Sequence, residues 1–143
     1  MNKSFLAFLM IFTVLISSVS YADTIFGDAD DVSIDRVKVN GKAVSESRAN
    51  FIEEADEFDV NIDLTATEGI SNMHVEAILT DLSTGSTISD STGTFSLKTN
   101  QSTLVALNLQ LISVLKRQND FRLAVRIIDV DGDVEEKTYG LKL

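Results

Sequence analysis

The chain has no cysteine, no proline, no tryptophan and only one histidine among its 143 residues. Without cysteine there is no disulfide to staple the fold, no thiolate metal site and no thiol nucleophile, so stability rests on a hydrophobic core. A domain of this size buries roughly 65% of its unfolded surface, enough to stand without cross-links. The lone His74 excludes a His-rich metal cluster and leaves little material for a histidine-dependent triad. It is expected on the solvent side of a strand, near Glu76. With no tryptophan, and with Tyr139 the only tyrosine after residue 22, the usual platform for stacking a sugar is missing. Serines are plentiful at Ser83, Ser86, Ser89 and Ser91, yet none sits in a G-x-S-x-G or S-x-x-K setting. Phosphate loops, dinucleotide-binding glycines and basic aromatic stripes are absent too. The lack of proline removes a common guard of sheet edges and leaves that task to acidic residues and lysines.

What the chain does have is acid. Its net charge is −10, so the surface repels nucleic acid and anionic lipid and favours solubility, a salty medium or a basic partner. At the N-terminus, Lys3 precedes the apolar run FLAFLMIFTVLI (residues 5–16), and SSVSYA follows with small residues at Ser20 and Ala22. This is the plan of a secretory signal peptide cut between Ala22 and Asp23. The run is shorter than the ~20 residues a spanning helix needs, which disfavours an uncleaved anchor. The reading is therefore a signal peptide over residues 1–22, a flexible acidic leader over 23–31 and one domain over 32–143, secreted and free of the membrane after cleavage. The leader acids Asp28, Asp30 and Asp31 read as a solvated tail.

Within the domain, period-two alternation dominates. VSIDRVKV predicts a strand over residues 32–39, and Asn40-Gly41 predicts a tight turn with a short return near Ala43-Val44. SESRANFIEEADEF reads as a loop. FDVNIDLTA places Phe58, Val60, Ile62 and Leu64 on one face, and NMHVEAILT does the same with Met73, Val75, Ala77 and Leu79. Short edge pieces are expected near Thr87-Ile88 and residues 94–97, and further strands over 102–109, through FRLAVRIIDV, and through Tyr139, Leu141 and Leu143. LQLISVLKRQND breaks the period and reads as a short helical crossover. About seven strands with turns every 8–12 residues indicate an all-β, immunoglobulin-like sandwich.

One stretch, DVDGDVEE, carries five acids in eight residues. As a calcium loop, Asp129, Asp131 and Asp133 would occupy the first, third and fifth positions. Glycine then falls at the fourth position and Val134 at the sixth, and the twelfth is Gly140, so the EF-hand pattern fails. The expected structure is a hairpin with Asp131-Gly132 at its centre and Asp129 facing Asp133, calcium at the tip being a weak addition. No other metal, no cofactor and no catalytic residue is implied. Asn100-Gln101-Ser102 is a glycosylation sequon in an expected loop.

Taken together, DRVKVNGKAV, FDVNIDLTATEGISNMHVEAILT, DSTGTFSLK and FRLAVRIIDVDGDVEEKTYGLKL resemble secreted archaeal immunoglobulin-like domains related to S-layer and CARDB-type cell-surface adhesion modules. The resemblance spans residues 32–143 and rests on patterning and turns. It implies an extracellular structural or protein-interaction module without enzymatic activity, its partner a cell-surface protein or a second copy, with strand-edge pairing as one means of contact. The alternatives are an extracellular carbohydrate- or ligand-binding domain and, further off, a carboxylate-based hydrolase.

Overall fold

The computed structural model describes residues 29–111 and 120–143. Ten strands follow a 3-10 turn at Ala29–Asp31: β1 (Val32–Val39), β2 (Lys42–Val44), β3 (Asn50–Phe51), β4 (Glu57–Ala66), β5 (Ile70–Asp81), β6 (Thr87–Ser91), β7 (Phe95–Leu97), β8 (Ser102–Gln110), β9 (Asp120–Ile128) and β10 (Val134–Lys142). They form a four-stranded sheet in the order β2-β1-β4-β8 and a six-stranded sheet in the order β3-β10-β9-β5-β6, with β7 also pairing β5. The molecule is an all-β sandwich. Pairing of β4 with β8 in one sheet, and of β5, β9 and β10 in the other, is the immunoglobulin-like arrangement.

The alternation seen in the sequence decides which faces meet. Phe58, Val60, Ile62, Leu64 and Ala66 on β4 are fully buried, as are Met73, Val75, Ala77 and Leu79 on β5 and Phe121, Leu123, Val125 and Ile127 on β9. Two bulges correct the phase where the pattern slips. On β1 the register shifts between Ile34 and Arg36, so Asp35 is the extra residue and both Ile34 and Val37 point inward. On β5 it shifts between Ile70 and Met73, where Asn72 adopts a left-handed φ of 54°.

The Asn40-Gly41 turn is as expected: both residues have positive φ, 49° and 78°, and Val39 pairs with Lys42 across a two-residue loop. The segment expected as a plain loop contains β3, which runs parallel to the end of β10. Asn50 explains it. The side chain is buried, its amide donating to the carbonyls of Ser45, Arg48 and Gly140 while its oxygen accepts the Ser45 N–H. One polar residue thus ties the 45–50 segment to β10. The expected helical crossover is mostly outside the described residues, although its first two residues, Leu109 and Gln110, belong to β8, its last, Asp120, opens β9, and Leu111 is buried with its N–H donating to the Asp56 carbonyl.

Candidate functional site

The acidic C-terminal hairpin is held by one of its acids. Asp129 is buried, and its Oδ1 accepts the N–H groups of Asp131 (2.9 Å) and Asp133 (3.0 Å). Its Oδ2 accepts the N–H of Ala29 (3.2 Å), a residue 100 positions earlier. The loop holds three residues, 130–132, rather than the two expected: the Gly132 N–H returns to the Asp129 carbonyl, and Asp129 and Asp133 pair through their backbones. Gly132 is the third loop residue, with φ 86°, and takes the left-handed position that closes a three-residue hairpin. Asp131 and Asp133 are exposed, and among the described residues no three acidic or histidine side chains gather closely enough to hold a metal ion.

The same carboxylate ties the first described residues to the sandwich. Ala29 is buried, and the Asp31 carbonyl accepts both the N–H (2.7 Å) and the hydroxyl (2.9 Å) of Thr67. Residues 29–31, expected as leader, are therefore docked on the sandwich. Asp30 is exposed, and Asp28 and the Ala22-Asp23 cleavage point lie outside the described residues.

Two charged side chains point inward at the seams between the sheets. Lys137 shares the inward parity of Tyr139 and Leu141 on β10; its Nζ donates to the Ile34 carbonyl at the β1 bulge (3.0 Å) and pairs with Glu46 (3.5 Å). At the opposite seam, Asp90 on β6 accepts the Asn108 N–H of β8 (2.9 Å). Each reaches from one sheet to the edge backbone of the other and blocks the approach of a foreign strand. Sequence reasoning passed over both residues. Their signal was a charge at an inward position of an alternating strand. Tyr139 beside Lys137 is buried, and burial pushes its phenol up to about 12, with the negative Glu46 adding to the rise. On β1, hydrogen bonds from the Ser33 and Thr65 hydroxyls hold the Asp35 carboxyl below its usual range, and Lys137 contributes to the same shift.

β8 differs from the other edges. The Asn108 N–H faces away from β4, toward Asp90, whereas the Gln101 carbonyl faces β4 and accepts the Ala66 N–H. Backbone groups alternate sides along a strand, so those of Ser102, Leu104 and Ala106 also face away from β4. No described strand pairs with that side of β8. Leu104 stands there with 62% of its surface exposed. The outer face beside it forms an open groove of about 340 Å³ lined by Arg36, Lys38, Gly41, Asn61, Asp63 and Leu104, in which Arg36 bridges Asp63 at 2.6 Å.

The remaining candidates resolve as follows. His74 is half-buried on the outer face of the six-stranded sheet, opposite Ile128 and two residues along from Glu76. The Ser83 hydroxyl donates to Asp81, a buried acid at the end of β5 whose carboxylate also accepts the Ser83 N–H. Ser86 lies in the β5–β6 turn, while Ser89 and Ser91 are exposed on β6. Asn100 is exposed in a left-handed turn (φ 59°) immediately before β8, and the Ser102 hydroxyl is 2.9 Å from that of Thr65.

No protein-family model and no curated protein matches the chain. Solved structures do share its fold. The C-terminal domain of wzt superposes with a TM-score of 0.55 at 10% identity, over 78% of this chain and 72% of that one. Catalytically inactive OgpA from Akkermansia muciniphila, in complex with an O-glycopeptide, gives 0.53 at 13% identity over 84% of this chain. The match spans 31% of OgpA, so the likeness is to a part of that protein. At these identities the two structures speak for the sandwich alone.

Proposed function

We propose that this chain is a non-enzymatic interaction module of an extracellular, cell-surface assembly. The observation that carries the reading is how the fold uses its buried polar side chains. Asn50, Asp81 and Asp129 each hydrogen-bond a turn or neighbouring segment of the sandwich. These groups serve as rivets for loops and hairpins, as befits a rigid scaffold that presents edges and faces. The apolar run over residues 5–16 supports export, and the resemblance to S-layer and CARDB-type modules supports a surface setting. The test is recovery of the protein from outside the cells that make it, with mass spectrometry of its N-terminus. A chain beginning at Asp23 is expected; full-length protein retained in the cytosol would sink the reading.

A second reading is carbohydrate binding, favoured by the groove beside Leu104. Arg36, Asn61 and Asp63 offer donors and acceptors that suit sugar hydroxyls. OgpA, a part of which shares this sandwich, is seen with an O-glycopeptide. The groove has no aromatic ring to stack a sugar, which ranks this reading second. Binding on a glycan array that is lost in Asp63→Ala would reverse the order.

A further inference from the structure

We propose that the open edge of β8 pairs antiparallel with β8 of a second copy of this chain, centred on Leu104. This names the partner and the edge for the interaction module above, and rests on that reading.

Among the described residues the sandwich has four lateral edges, and three are short or guarded. β2 has three residues, one of them Lys42, and lies against Lys38 of β1. β3 has two residues, and the length of β10 beyond it carries the inward Lys137. β6 has five residues and the inward Asp90. β8 runs for nine residues, STLVALNLQ, without a single charge. Edges that must stay unpaired are kept short, charged or bulged, and β8 has none of those protections over its first half. Asp90 of β6 lies against β8 at Asn108, toward the other end.

The geometry of this half is self-complementary. Ser102, Leu104 and Ala106 all turn their N–H and C=O groups to the open side, as derived above. A two-fold axis through Leu104 would set Leu104 against its own copy and Ser102 against Ala106 on either side. That register makes about six backbone hydrogen bonds, all from groups already pointing outward. It is an isologous contact that closes on itself, as most homodimers do.

Charge selects a second copy over an acidic surface at large. The protein carries −10, so self-association is repelled wherever its acids meet. Across β8 they do not meet. The acid closest to Leu104 in register is Asp63 on β4, already bridged by Arg36. Three strand spacings would separate Asp63 from its copy, roughly 14 Å, beyond the screening length of about 8 Å at physiological ionic strength. The four-stranded sheet would thus continue from one copy into the next through the edge where its own charge opposes it least.

The test uses the full chain in the form its expression host delivers, followed by size-exclusion chromatography with light scattering over a concentration series. Two variants accompany it. Leu104→Lys puts a charge at the centre of the edge, and about a tenfold or greater weakening of the dimer is expected. Ala106→Pro removes an N–H that points away from β4, so it should leave the sandwich intact while breaking the edge pairing. Unfolding curves confirm that each variant is folded. A dimer weakened by both variants supports the proposal. A monomer at every concentration overturns it, as does a dimer insensitive to Ala106→Pro, which would place the contact elsewhere. Neither outcome touches export, which the N-terminal mass decides separately.

Discussion

β10 and β8 are strands of nine residues at the margins of the two sheets, and the fold treats them in opposite ways. β10 is capped at one end by β3, carries Lys137 pointing inward, and begins at a hairpin anchored by the buried Asp129. β8 carries no charge, and on the side away from β4 no described strand pairs with it. The difference teaches that edge protection here is residue-specific. It is achieved by single side chains placed at inward positions, because the chain has no proline to use instead.

The contrast can be broken most forcefully at Asp129. Replacing it with alanine strips the acceptor from the N–H groups of Ala29, Asp131 and Asp133 together. A loss of about 3 kcal/mol is expected from urea unfolding, with faster amide exchange at the start of β10 and little change along β8. Added calcium should not restore the stability, since the carboxylate acts on backbone.

Alkaline pH should come next. Tyr139 has its phenol raised from 10.0 to about 12 by burial and by Glu46. Between those values the unfolded chain loses the proton while the folded chain keeps it, so stability is full below pH 10 and falls as pH rises toward 12. The urea midpoint should drop across that window, and Tyr139→Phe should remove this component.

Lys137→Met keeps the apolar stem and deletes the charge, giving up the bond to Ile34 and the pair with Glu46. The expected stability cost is about 1 kcal/mol or less. The larger consequence is an unguarded β10, seen in light scattering as new concentration-dependent association even in the Leu104→Lys background. If β10 stays inert, Lys137 is not its guard.

The smallest effect belongs to Asn100. In a host able to glycosylate the exported chain, intact mass should show a glycan that Asn100→Gln removes, with stability within about 0.5 kcal/mol. Because the turn leads directly into β8, the glycan would reduce pairing at that edge and leave β10 unaffected.

Much of this architecture was legible in the sequence. The 32–39 strand, the Asn40-Gly41 turn and the buried faces of β4 and β5 follow from period-two alternation and from residues that accept positive φ, which are local properties. The two short strands β6 and β7, in and at the end of the Ser/Thr-rich stretch, were visible as edge pieces. β3 was not, because a two-residue strand has no period to detect and exists through Asn50's contact with Gly140, 90 residues away. The hairpin was foreseen, but its third loop residue was not, since an Asp-Gly pair suits a two-residue loop and also the end of a three-residue one. Asp129 looked like its neighbours Asp131 and Asp133, and nothing in DVDGDVEE marks it as the buried member.

The sequence by itself determined that this protein is a two-layer β sandwich with an acidic exterior, because side-chain parity and turn chemistry act over a few residues. Tertiary structure alone decided which acid is a rivet, which lysine is a guard and which edge stays open. Those roles depend on what the opposite sheet places within hydrogen-bonding distance, and no local pattern encodes that.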